Sequence, residues 1–175
     1  IVRCQYPELN LDQVFALTAG REPINPRPLF YAGVFADTAP HTNGFLSYSD
    51  GCHDDVNKVV WSGLGWDADR EPRAILVEYG RCFFSSADAE SIADGILALE
   101  KNWEGALRDN VGVPAALDHW QSLEHAHPEL KDNWRWQMLL LRAYYDNYQR
   151  ERLARETALE AEAYRELEQQ DGRFP

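Results

Sequence analysis

The sequence is poor in sulfur and in positive charge, with one Met, three cysteines (Cys4, Cys52 and Cys82), and 17 Lys and Arg against 29 Asp and Glu in 175 residues. Cysteines so widely spaced, odd in number and without a C-x-x-C pair, signal neither a disulfide framework nor a thiolate zinc site. The formal charge of −12 gives an averaged field that repels phosphate backbones and anionic lipid, so nucleic acid and membrane surfaces are not expected partners. No apolar run approaches the roughly 20 residues of a membrane span. The opening IVRCQYPELN lacks the charged-then-apolar layout of an export signal. Because the chain starts at Ile1 rather than Met, it reads as a processed product or a fragment, and localisation stays open. Catalytic signatures are missing as well: there is no G-x-S-x-G elbow, no phosphate-binding G-x-x-x-x-G-K-[ST], no G-x-G-x-x-G and no H-E-x-x-H. No cofactor is expected.

What is present is globular: 45% apolar residues, with six Trp, eight Tyr and seven Phe, more large amphipathic surface than a helical spacer needs. VFALT at 14–18 reads as a strand closed by Ala19-Gly20, and the three prolines of REPINPRP then forbid regular structure. Residues 29–37 are helix-compatible, and GFLSYS at 44–49 alternates as a second strand bounded by Asp50-Gly51. Asp54 is placed to cap a helix over 56–64 that Gly63 and Gly65 stop. Strand, helix, strand, helix with short connections is the pattern of a parallel sheet. Two parallel strands alone leave hydrogen-bonding edges and apolar faces open. Residues 1–66 are therefore expected to be the last βαβα units of a larger (β/α)8 barrel of the TIM type, a small α+β domain being the alternative.

Residues 67–175 are expected to form a helical domain, which makes the chain an α/β fragment followed by a helical bundle and predominantly helical overall. Pro72 opens one helix, Ser85-Ser86 precede a second, and a third runs from about 114 to 126. The stretch from Glu129 to about Gln169 has neither Pro nor Gly and reads as one long helix, central in its first half and solvated past Arg150. His119, His125 and His127 read as surface residues.

In such folds ligands sit at the carboxyl ends of the strands, where loops converge. That rule selects Glu22 after the first strand, and Tyr48, Asp50, His53, Asp54 and Asp55 around the end of the second. Two carboxylates across such a mouth are what glycosidic bond cleavage needs, one protonating the leaving oxygen while the other attacks or activates water. Asp50 and Glu22 are the catalytic candidates. Tyr48, His53, Asp54, Asp55 and Trp66 are the substrate-binding ones, Trp66 as a platform for a sugar ring. Each has a plainer reading: Asp50-Gly51 is a turn dipeptide, Asp54 or Asp55 is a helix cap, and Glu22 pairs with a neighbouring Arg. His53 beside Cys52, Asp54 and Asp55 does not make a metal site, since adjacent side chains diverge and no second His lies at helical spacing. No metal is expected.

The segments FALTAGREPINPRP, YSDGCHDDVNKVVWSGLGWD and NWRWQMLLLRAYYDNYQRERLARETALE together resemble the carboxy-terminal part of large bacterial proteins similar to glycoside hydrolases, with a hexosaminidase-like or α-glucuronidase-like (β/α)8 barrel followed by a helical region. The likeness runs from about Asp12 to Glu168. It implies an oligosaccharide or glycoside substrate, places Asp50 and Asp54–Lys58 at the rim of the last barrel strand, and makes the remaining amino-terminal part of the parent protein, or a partner subunit, the missing companion of a chain inactive by itself. Two other readings stay open: a stand-alone helical protein-interaction module without catalytic activity, and saccharide binding without hydrolysis.

Overall fold

The structure is a computed structural model that describes residues 2–5, 24–47 and 54–171. It is predominantly helical. In chain order come strand β1 (Val2–Gln5), helix α1 (Pro28–Thr38), strand β2 (Gly44–Ser47), and helices α2 (Asp55–Trp66), α3 (Pro72–Phe83), α4 (Ala89–Lys101), α5 (Gly112–Ala126) and α6 (Trp134–Asp171), with short 3-10 turns at Ala39–His41, Leu107–Asp109 and Pro128–Asp132. β1 and β2 pair in parallel, Val2 opposite Gly44 and Gln5 opposite Ser47, with α1 on the connection between them.

These residues do not by themselves show the expected barrel units. The sheet they contain has two strands, whereas barrel closure takes eight. The expected strand at 14–18 lies outside the described residues, and β2 pairs instead with a segment near the start of the chain. The expected second strand is described only as far as Ser47.

The starts of α1, α3 and α6 have identifiable causes. Pro28 and Pro72 occupy the first turns of α1 and α3, where a missing N–H costs nothing. Arg27 provides no side-chain cap for α1. The Glu100 carboxylate of α4 takes that role, accepting from the Leu29 and Phe30 backbone N–H groups at 2.8 Å each, an anion placed at the positive end of a helix dipole. α6 begins later than its composition suggests because Asn133 caps it: Asn133 Oδ1 accepts from Arg135 N at 3.0 Å, and Asn133 Nδ2 donates to the Phe83 carbonyl at 2.9 Å. The residues before Asn133 turn as 3-10 helix.

Gly63 and Gly65 do not stop α2, which runs through to Trp66. At Gly65 the Phe45 ring lies where a Cβ would be, so that glycine admits the strand β2 against the helix. Gly80 does the same between α3 and α4, where a Cβ would sit 3.1 Å from the Ala89 backbone.

One core runs through the molecule, from Ile24, Phe35 and Trp61 through Leu76, Ile92 and Trp120 to Trp136 and Ala143. It crosses the junction at residues 66 and 67 without a break. Aromatic rings meet edge-on along it, Phe35 with Trp61 at 5.2 Å and Trp120 with Trp136 at 5.6 Å between centroids, the orientation that ring quadrupoles favour. The long α6 is about 57 Å at 1.5 Å per residue. Its first half is part of the core, and from Glu151 to Gln169 every residue is exposed.

Candidate functional site at the strand-end rim

The rim expected at the carboxyl end of β2 is described on its helical side, from Asp54 onward, and on the side of the proline-rich loop, from Ile24 onward. Asn57, fully buried in the first turn of α2, joins the two. Its Nδ2 donates to the Asn25 carbonyl at 2.8 Å and to Asp54 Oδ1 at 2.9 Å, and its Oδ1 accepts from Arg27 N at 2.7 Å. One amide thus satisfies two backbone groups in a loop that prolines bar from regular pairing. Asp54 is itself fully buried and occupies the position before α2, but its side chain makes no cap bond to that helix. Its carboxylate orients Asn57 instead.

Asp55 faces the opposite way, into the helical region. Its carboxylate accepts from Arg135 Nε at 2.8 Å and Nη2 at 3.0 Å, and from the Tyr79 hydroxyl at 2.8 Å. The Arg135 guanidinium also lies over the Phe83 ring, at 4.0 Å, and over the Trp134 ring, at 4.3 Å. A two-pronged bond plus ring stacking is the geometry that Arg, not Lys, supplies. Burial pushes the Tyr79 hydroxyl above its ordinary pKa, and the Asp55 charge adds to the effect, so Tyr79 is a neutral donor. Burial opposes the charge of Arg135, but the Asp55 bonds and charge outweigh it and raise its pKa. The three side chains fasten the start of α2 to α3 and to the start of α6.

The sequence-selected residues therefore divide. Asp54 and Asp55 are adjacent in sequence but serve two separate networks, one inside the rim and one at the junction with the helices. Trp66, at the end of α2, is 90% exposed, with its indole open to solvent. Glu22, Tyr48, Asp50 and His53 lie outside the described residues. Among the described residues no group of three or more His, Cys, Asp or Glu side chains is arranged to hold a metal ion, and no helix is long and apolar enough to cross a membrane.

Three polar residues that carry much of the structure were not singled out as polar anchors by the sequence. Arg142 and Asp146 form a buried i,i+4 pair on α6, Nη2 to Oδ1 2.7 Å, with Asn102 Nδ2 donating to Asp146 Oδ2 at 3.0 Å. Burial raises the Asp146 pKa, and Arg142 and Asn102 offset part of that rise. The third, His127, is not the surface residue its neighbours suggested. It is buried between two carboxylates. The i,i+4 spacing of Arg142 and Asp146 was the available signal, although it also describes any exposed helical pair.

Comparison of the chain with protein-family models, with curated proteins and with solved structures returns no match in any of the three.

Proposed function

We propose that this chain is the carboxy-terminal segment of a carbohydrate-active enzyme, a glycoside hydrolase, that contributes the last strands of a (β/α)8-type barrel and a helical buttress. The observation that carries the reading is the parallel β1–β2 pair, with α1 on its crossover and α2 following. On β2 Leu46 remains exposed, and Phe45, although its ring meets α2 at Gly65, is partly open, whereas a parallel sheet buries both faces and rarely stands as two strands. Further strands of the parent protein would cover it. The Asn57 network supports the same reading, since it ties Asn25 and Arg27, which follow Glu22 in sequence, to the helix that follows Asp50 and His53. In this reading Asp50 and Glu22 are the acid and nucleophile or base, Tyr48, His53 and Trp66 contact the saccharide, Asp54 is a framework residue of the rim, and Asp55 fastens α2 to the helical buttress.

The test is reassembly. The chain co-expressed with the upstream part of its parent protein is assayed on aryl hexosaminides and aryl glucuronides, beside Asp50→Asn and Glu22→Gln. Hydrolysis that both variants abolish is the expected result. A folded, reassembled protein that neither hydrolyses these substrates nor gains thermal stability from the corresponding sugars would overturn the proposal.

A second reading, the non-catalytic helical interaction module, is favoured by one observation: Leu153, Leu159, Tyr164 and Leu167 are all exposed on the free half of α6. It predicts a partner protein whose binding is unchanged by Asp50→Asn and Glu22→Gln and is lost on replacing those apolar residues with Ser.

A further inference from the structure

His127 ends α5 and opens the 3-10 turn Pro128–Asp132, with its backbone N–H donating to the Leu123 carbonyl and its carbonyl accepting from Leu130 N. Its ring reaches across to the turn between α3 and α4. Nδ1 lies 2.9 Å from Glu129 Oε1, and Nε2 lies 3.0 Å from Asp88 Oδ2. Asp88 is held in turn by the Ser85 hydroxyl, 3.3 Å from the same Oδ2. α6 contributes Trp136, edge-on to the imidazole at 6.1 Å between centroids. Among the described residues, the charged groups acting on the ring are Glu129 and Asp88.

A neutral imidazole has one N–H and one lone pair. In this position either tautomer would hold its lone pair against a carboxylate oxygen at hydrogen-bond distance. Only the imidazolium donates on both sides. We propose that His127 is a protonated clamp at neutral pH, joining the α3–α4 turn to the α5–α6 turn and releasing them when it loses its proton. The clamped corner also contains Asn133, which caps α6 and bonds the end of α3, so release would loosen the start of the central helix as well as the start of α4.

The direction of the pH dependence follows. The Glu129 bond raises the His127 pKa most, burial works against it, and Asp88 adds to the rise. The folded value therefore lies above the ordinary 6.5. The stabilisation is fully present below 6.5, declines as pH rises from there, and is lost above the folded pKa.

The experiment uses the full chain. Nitrogen-15 chemical shifts of the His127 ring at neutral pH should be those of an imidazolium with both nitrogens protonated, and the titration midpoint should lie above 6.5. Asp88→Asn with Glu129→Gln should bring that midpoint down toward the ordinary value. Hydrogen exchange, corrected for its intrinsic pH dependence, should show protection of 84–90 and 127–137 lost on the alkaline side of the midpoint in the wild type, and no such pH-dependent loss in His127→Gln. A neutral tautomer at pH 7, a midpoint at or below 6.5, or wild-type protection that does not change across the titration would each overturn the clamp. The wild-type measurements decide the matter even if a variant fails to fold.

Discussion

Replacing Asp55 with Asn tests the claim that the start of α2 is fastened to the helical region through a charge rather than through apolar contact alone. The substitution keeps the side-chain shape and one acceptor but removes the negative charge and turns an amide N–H₂ toward donors. Arg135 is left over the Phe83 and Trp134 rings without its counter-charge, and the Tyr79 hydroxyl loses its charged acceptor. Removing one member of a fully buried pair costs about 3–5 kcal/mol, and a hydrogen bond to a charged group contributes about 1.5–3 kcal/mol. The side chains of Asp55 and Arg135 are 16% and 24% exposed, so water recovers part of the loss, and the expected destabilisation is about 2–3 kcal/mol. For a chain of this size that lowers Tm by about 4–12 °C, read by thermal unfolding with far-UV circular dichroism. Arg135→Met keeps an apolar stem against the rings and completes a double-mutant cycle with Asp55→Asn. The double variant should lose less than the sum of the two single ones. Strict additivity, or an Asp55→Asn variant within about 0.5 kcal/mol of the wild type, the level of an ordinary surface change, would refute the fastening.

The Arg142–Asp146 pair should behave in the opposite sense when both members go. Arg142→Met strands a buried carboxylate and should cost about 3–5 kcal/mol, whereas Arg142→Met with Asp146→Leu should be more stable than either single variant in denaturant titration. Gly80→Ala drives a methyl group toward the Ala89 backbone, which cannot rotate aside as a side chain can, so a loss of about 1–3 kcal/mol is expected by urea unfolding. Trp66→Ala should leave stability within about 0.5 kcal/mol of the wild type, because its ring is exposed. The same substitution should weaken saccharide binding by the reassembled protein, as seen by calorimetry, if the ring is a sugar platform.

The helical part of the fold was legible because it rests on local properties. Pro72 can only open a helix, Ile75, Leu76 and Tyr79 recur on one face, and the run after Pro128 has no residue to break it, so α3 to α6 appear in the sequence with ends off by a few residues. Where the ends were misplaced, a remote group decided them. α6 waits for Asn133, whose second bond reaches Phe83, and Gly65 lies inside α2 where the Phe45 ring occupies the space a side chain would fill. A glycine reads as a stop in a sequence and as a close approach in a structure, and only the neighbour distinguishes the two.

Of the expected rim, the sequence located a helix start but not the directions of its side chains. By itself the sequence determined that Asp54 and Asp55 stand at the start of a helix, while Glu22, Tyr48, Asp50 and His53 lie outside the described residues. It could not determine that Asn57 faces the loop while Asp55 faces Arg135, eighty residues on, because the direction of a side chain depends on which helix packs against it. Burial decided the rest. His127 has the same composition around it as His125, yet it is the one enclosed between Asp88 and Glu129. Charge and chemistry become specific there because folding brings Asp88, 39 residues away in the chain, to the second ring nitrogen.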